Sequence, residues 1–188
     1  MKRFGISLLA LWVAILAPPA LSADVLVLEI AGNTTGTVEI ELLPDLAPNH
    51  VERIKTLTEL GAYDNVAFHR VIEGFMAQTG DVEYGNRDAN ALQAAGRGGS
   101  DLPNLQSEFT DTPYTRGVVG MARSNDPHSA NSQFFIMFAD APHLDGAYTV
   151  FGRVITGMDI VDAIKRGEGP GFQDPDYIQR ASIRSDDE

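Results

Sequence analysis

The residues of this chain with the means to do chemistry are two glutamines and an arginine set beside large apolar groups on short, strand-like segments. In residues 75–79 the period of two puts Met76 and Gln78 on one face. In residues 133–138 it puts Gln133 and Phe135 on one face and Phe134 and Ile136 on the other. Two strands thus each present one amide beside one large apolar side chain. In residues 68–72 the same period places Arg70 with Phe68 and Ile72, an odd site for a guanidinium unless that face is partly open. Taken singly, Phe75, Met76, Phe134 and Phe135 read as core, and Arg70 as a side chain snorkelling to water. Taken together, an apolar pocket ringed by amide and guanidinium donors is what binding an extended peptide requires. The pocket desolvates a side chain while the donors satisfy the peptide backbone.

Other chemistries find little support. The chain has no HExxH and no GxSxG, and Gly96-Arg97-Gly98-Gly99 lacks the Lys-Ser/Thr that would make it a phosphate cradle. His50, His69, His128 and His143 are too scattered for a metal site, and His69, within an apolar strand, reads as a hydrogen-bonded core residue. Zero cysteine removes thiolate nucleophiles, disulfides and Cys-based zinc sites. The 188 residues carry 14 Lys+Arg against 26 Asp+Glu, a net charge of -12 and the wrong sign for phosphate backbones or anionic lipid. The expected partners therefore include no nucleic acid, no metal and no cofactor.

The elements that must position these residues are mostly short strands. Val38, Ile40 and Leu42 alternate with polar residues, and the apolar run 25–30 joins them through Gly32 to Gly36 as a hairpin. Pro48 opens a helical pattern in which Val51, Ile54, Leu57 and Leu60 recur until Gly61. Strands follow at 68–72 and 75–79. Residues 80–116 are then rich in Gly, Asn, Asp and Pro, too long for an inert connector and so expected to belong to a functional surface. Further strands are expected at 117–122, 133–138, 149–154 and 177–183, with a short helix at 160–165 and a Gly/Pro loop at 167–175. Eight strands with two helices predict an all-β dominated fold, a closed eight-stranded antiparallel β-barrel capped by two α-helices, because a parallel α/β sheet would need a helix after nearly every strand.

Residues 1–23 read as an address. Lys2 and Arg3 precede the uncharged run 4–17, which as a helix would extend about 21 Å and fall short of the ~30 Å hydrocarbon core. Pro18 and Pro19 stop it, and Ala20-Leu21-Ser22-Ala23 offers small residues for a signal peptidase. A signal peptide at 1–23 and one soluble, exported domain at 24–188 are expected, with no stable membrane insertion after cleavage. Removing 23 of the 188 residues leaves 165, and since Lys2 and Arg3 go with no acid, the net charge moves from -12 to -14.

Phe68-His69-Arg70-Val71-Ile72-Glu73-Gly74-Phe75-Met76-Ala77-Gln78-Thr79-Gly80-Asp81 closely resembles the cyclophilin signature. Ser132-Gln133-Phe134-Phe135-Ile136, Leu144-Asp145-Gly146 and Val150-Phe151-Gly152-Arg153-Val154 resemble that family's second half, and the similarity runs in order over 25–183. The resemblance implies the same capped eight-stranded barrel and a peptidyl-prolyl cis/trans isomerase working on proline-containing polypeptides, without a cofactor and as a monomer. It places the catalytic arginine at Arg70, with Phe75 and Gln78 beside it. It assigns substrate binding to Met76, Phe135 and Leu144 in the proline pocket, to Gln133 as a second backbone-gripping amide, and to Ala122 where the substrate backbone passes.

Three positions depart from the family pattern. His143 stands where a tryptophan is common, Tyr148 where a histidine walls the pocket, and Arg123-Ser124 where Asn-Ala is common. The tryptophan position is associated in the family with tight cyclosporin binding, so the resemblance leaves that binding open for this chain. Tyr148 still offers an apolar wall and one hydroxyl. The set is more similar to bacterial than to animal members, which fits export to a periplasm. A non-catalytic proline-peptide-binding chaperone would use the same pocket, but it would have no need of Arg70.

Overall fold

The computed structural model describes residues 24–87, 91–169 and 171–185. The leader read at 1–23 lies outside them. From Asp24 on, the alternation of the first hairpin folds as expected. β1 (Val25–Ala31) and β2 (Gly36–Leu42) pair antiparallel, with Leu26 opposite Ile40 and Leu28 opposite Val38. Val38, Ile40 and Leu42 are fully buried, whereas Glu39 and Glu41 between them are only half-buried. α1 (Pro48–Glu59) then buries Val51, Ile54 and Leu57. Leu60, expected on the same stripe, is 73% exposed because it has become the residue that ends the helix.

The remaining strands are β3 (Val66–Ala67), β4 (Arg70–Ile72), β5 (Met76–Thr79), β6 (Val118–Met121), β7 (Phe134–Met137), β8 (Val150–Thr156), β9 (Gly167–Glu168) and β10 (Tyr177–Arg184). α2 (Met158–Ala163) lies between β8 and β9, two residues earlier than its apolar pattern suggested. All pairings are antiparallel, and the order across the sheet is β3-β10-β1-β2-β8-β6-β7-β5-β4-β9.

The closed eight-stranded barrel is therefore corrected to a curled ten-stranded sheet whose end strands, β3 and β9, do not pair with each other. Two local events account for the difference in number. The expected strand 68–72 shortens to β4, and residues 66–67 just before it form the separate β3, because the chain changes partner: Ala67 pairs with β10, and Arg70 onward pairs with β5. At the switch the Phe68 N–H donates to the Asp176 carbonyl at 2.9 Å and the Phe68 ring enters the central core. Phe68 and Arg70 consequently do not share a face. The second event is β9, two residues of the expected Gly/Pro loop that pair with β4.

The middle of the sheet is buried on both faces. Val71, Ala77, Val119, Phe134 and Ile136 point into the central core with Leu26, Leu28 and Phe151, while Met76, Val118, Phe135, Met137 and Leu144 form a second cluster on the opposite face. Among the described residues no helix is long and apolar enough to cross a membrane.

The long segment after β5 has little regular structure, and its backbone is held by side chains instead. Buried Asp81 accepts N–H groups of Glu83, Tyr84, Gly96 and Gly98 at 2.7–3.1 Å. Glu108 does the same for α1, which begins at Ala47 without a side-chain cap of its own. Its Oε1 accepts the Asn49 backbone N–H at 3.2 Å and the Asn49 side-chain amide at 2.7 Å. Its Oε2 accepts the His50 backbone N–H at 3.1 Å and the His50 Nδ1–H at 2.6 Å. One carboxylate from the loop thus satisfies two first-turn donors that the helix leaves open.

Burial holds the His50 ring below its ordinary value of 6.5 against the pull of Glu108, so the imidazole is neutral and donates from Nδ1. Burial alone would raise Glu108. The hydrogen bonds from His50 and Asn49 outweigh it and hold the carboxyl below its ordinary 4.5. With the folded pKa depressed, the Glu108 contribution is complete above about pH 4.5 and is lost as the pH falls through the folded value. Glu108→Gln is expected to lower stability at pH 7 by about 1–3 kcal/mol, measured by urea unfolding. The gap to wild type should narrow as the unfolding series is taken below about pH 4.5.

Candidate functional site

The outer face of β4, β5 and β7 is where the singled-out residues meet. β4 and β5 form a tight hairpin through Glu73, Gly74 and Phe75, in which Gly74 takes φ +68, a left-handed conformation that a side chain would strain. The turn throws Phe75 to the mouth of a cavity. Along the ladder Arg70 lies opposite Gln78, and Gln78 opposite Phe135.

Arg70, Phe75, Met76, Gln78, Ala122, Phe135, Leu144 and Tyr148 all line one cavity of about 360 Å³, together with Arg123 and His143. Gln133 does not line it. It sits one residue before β7 in an adjoining groove of about 270 Å³, whose wall shares Gln78, Ala122 and Arg123 with the first cavity.

The apolar part is built from stacked rings. Phe135 lies between Tyr114, nearly parallel at 5.8 Å, and Tyr148, edge-on at 5.8 Å. Phe75 stacks on His143 at 5.8 Å. The Arg123 guanidinium covers the Tyr148 ring at 4.3 Å and donates to the Ala147 carbonyl from Nε and Nη2 at 3.2 and 2.8 Å. All three positions that depart from the family pattern therefore contribute to the walls.

The polar part is a relay of amides. The Arg70 Nη1 approaches Gln78 Oε1 at 3.5 Å, a long contact. Gln78 Nε2 donates to Gln133 Oε1 at 2.9 Å, and Gln133 Nε2 donates to the Gly98 carbonyl at 2.8 Å. The backbone N–H of Gly98 is bound by Asp81, so the relay ends on a buried carboxylate. On its other side Arg70 donates from Nε to Glu168 Oε2 at 3.1 Å.

His69, beside this relay, is half-buried, with both ring nitrogens enclosed. Burial holds its ring below the ordinary 6.5, with Ala67 and Gln133 as neighbours that lie outside good hydrogen-bond geometry. The expected hydrogen-bonded core histidine is thus a neutral imidazole without a close partner. Chemically, the site offers an apolar cavity, two half-exposed guanidinium groups, Arg70 at its edge and Arg123 over the Tyr148 ring, and oriented amides. Among the described residues no group of three or more His, Asp or Glu is placed to hold a metal ion.

Reading by periodicity missed Glu168, Gly98 and Gly120. None had a pattern to reveal it: Glu168 lies in a two-residue strand, Gly98 acts through its carbonyl, and Gly120 acts through the side chain it lacks. A Cβ at Gly120 would collide with the Tyr114 hydroxyl and come within 2.8 Å of Phe135 Cζ.

With this geometry the chain can be set beside known proteins. Residues 26–184 match the family model for cyclophilin type peptidyl-prolyl cis-trans isomerase/CLD. A probable peptidyl-prolyl cis-trans isomerase from Brucella suis biovar 1 (strain 1330) is 57% identical over 155 residues, covering 80% of this chain and 79% of the relative. Among solved structures, the cyclophilin AquaCyp293 from Hirschia baltica is similar at TM-score 0.70 and 30% identity, covering 86% of this chain and 74% of that one. A Cryptosporidium parvum cyclophilin type peptidyl-prolyl cis-trans isomerase, crystallised in the presence of the dipeptide Ala-Pro, is similar at TM-score 0.72 and 25% identity. That likeness covers 86% of this chain and 99% of the other.

The packing behind Phe135 yields a stability test. The Tyr114 hydroxyl is buried without a hydrogen-bond partner, so Tyr114→Phe should leave stability unchanged or raise it by up to about 1 kcal/mol. Gly120→Ala should cost about 1–3 kcal/mol by overpacking. Thermal unfolding of the double variant should recover part of that loss, since the closest obstacle to the new methyl group is the hydroxyl.

Proposed function

The chain belongs to the cyclophilin-type peptidyl-prolyl cis-trans isomerase family, and from that premise we propose that it accelerates X-Pro isomerisation in exported proteins, assisting their folding in the periplasm. The physical obstacle is amide resonance, which sets a rotation barrier of about 18–20 kcal/mol and makes the uncatalysed step slow. No bond breaks, so neither a nucleophile nor an acid/base pair is required. Phe75, Met76, Phe135 and Leu144 hold the proline ring in the 360 Å³ cavity, with Tyr148 and Ala122 as further wall. Arg70 donates toward the prolyl amide and favours the twisted form, in which the nitrogen lone pair is localised. Gln78 and Gln133 grip the backbone on one side, so that only the other side turns.

An acceleration on the order of 10⁵ needs about 7 kcal/mol of extra binding to the twisted amide, within the reach of desolvation plus a charge-assisted hydrogen bond. The observation that carries this reading is the half-exposed Arg70 beside an aromatic cavity, tied to an amide relay rather than to a nucleophile. The likeness to the structure crystallised in the presence of Ala-Pro supports the same ligand class. The periplasmic setting rests on the pattern of residues 1–23.

Arg70→Ala is expected to lower kcat about 10- to 100-fold in a protease-coupled assay on an Ala-Pro peptide, the loss of one charged hydrogen bond. The urea midpoint should stay close to wild type, because Arg70 is a half-exposed surface cation. Wild-type activity in that variant would remove Arg70 from the mechanism. For export, the intact mass of protein recovered from a periplasmic fraction should correspond to a chain beginning at Ala23 or Asp24, and a mass that includes residues 1–20 would contradict the leader.

A further inference from the structure

The geometry points to Glu168 as a positioning residue for the isomerisation, one that fixes the Arg70 guanidinium from the side away from Gln78. This rests on the assignment of Arg70 above and adds a residue to it. Glu168 and Arg70 are register partners in the β4–β9 ladder, so their side chains lie next to each other across the two strands. The Arg70 Nε donates to Glu168 Oε2 at 3.1 Å.

A two-residue strand has no stability of its own, and the structure anchors this one where it begins. Arg166, immediately before it, donates from Nε to Glu73 Oε2 at 2.6 Å and covers the Phe138 ring at 4.3 Å. It also donates from Nη1 to the carbonyls of Asp162 and Ile164. Asp162 is in turn held by both terminal nitrogens of Arg116, at 2.8 and 2.6 Å. Gly167 packs so close to the Phe172 ring that a Cβ there would overlap it. β9 is thus bolted to the turn of the β4–β5 hairpin, and Glu168 is brought to Arg70 by the register.

Fixing matters because a flexible guanidinium loses the orientation on which a directed donor depends. The contact to Gln78, at 3.5 Å, is a weak restraint by itself. A carboxylate on Nε sets the plane of the group. Among the described residues Arg70 makes no other side-chain hydrogen bond, which leaves terminal N–H groups for the substrate. The Arg70 and Glu168 side chains are 41% and 57% exposed, so the pair adds little to folding. A positioning role therefore predicts loss of turnover without loss of stability.

The test compares Glu168→Ala, Glu168→Gln, Arg70→Ala and the Arg70→Ala/Glu168→Ala double variant, by kcat and KM on an Ala-Pro peptide and by urea unfolding. Glu168→Ala should lower kcat about 5- to 10-fold with KM changed by less than about twofold, and Glu168→Gln, which keeps an acceptor oxygen, should recover most of the loss. Unfolding midpoints should not move, and in the Arg70→Ala background Glu168→Ala should have no further effect. The Arg70 Nε–H, followed by NMR without turnover, should exchange faster in Glu168→Ala than in wild type.

The proposal is overturned if kcat in Glu168→Ala is unchanged or raised, if the loss persists without Arg70, or if Nε–H exchange is unaffected. The failures are separable. An inactive wild type would sink the isomerase reading, and an active Arg70→Ala would sink the assignment of Arg70. A silent Glu168→Ala beside an impaired Arg70→Ala would sink only the role of Glu168.

Discussion

One row of register partners carries the binding face. Glu168 on β9 pairs with Arg70 on β4, Arg70 with Gln78 on β5, Gln78 with Phe135 on β7, and Phe135 with Gly120 on β6. Five strands thus place a carboxylate, a guanidinium, an amide, an aromatic ring and a gap in a single line. The next row along the ladder, Gly167–Val71–Ala77–Ile136–Val119, contains no polar side chain, and its four side-chain-bearing members lie in the central core. Since side chains alternate faces, slipping one strand by one residue would exchange the two rows at that strand and bury an amide or a charge. Register is therefore the constraint from which both the core and the site follow.

Burial on both faces makes that register strict. All four residues of β6 and all four of β7 are buried. Such strands have no wet face to turn outward, so a slip costs packing on each side. The sequence between β5 and β6 contributes differently. It adds almost no ladder, and its donors are gathered by Asp81, while Glu108 gathers those at the start of α1. Some of the chain's acidity is in this sense structural: these two carboxylates replace the backbone partners that an irregular segment lacks.

Periodicity made the β1–β2 hairpin, the buried stripe of α1 up to Leu57 and the two faces of β7 legible, because each is a local pattern several residues long. It also put Met76 with Gln78 and Gln133 with Phe135, although Gln133 proved to lie just before its strand and to face the adjoining groove. What it misplaced are the points where a partner elsewhere in the chain decides. Phe68 turns inward because Asp176, 108 residues on, takes its N–H and pulls it out of the strand that Arg70 begins. β9 is too short to have a period, and it exists only because β4 offers an edge. Gly120 is a glycine because the rings of Tyr114 and Phe135, on a loop and a neighbouring strand, need its volume. Each of these is fixed by a contact that spacing alone does not encode.

A reaction that breaks no bond places an unusual demand on its protein. With no bond to break, rate must come from presenting a fixed donor and a dry surface to an amide while it twists. A dry surface follows from the rings around Phe135, but a fixed donor does not follow from having an arginine. In a chain whose net charge is -12, a mobile guanidinium has many carboxylates to choose from, and each choice would turn it differently. Committing the Arg70 Nε to one carboxylate on a paired strand removes that choice and settles which nitrogens are already used. The chain's excess of acid then becomes compatible with a directed cation, because one carboxylate partner for it has been built into the ladder.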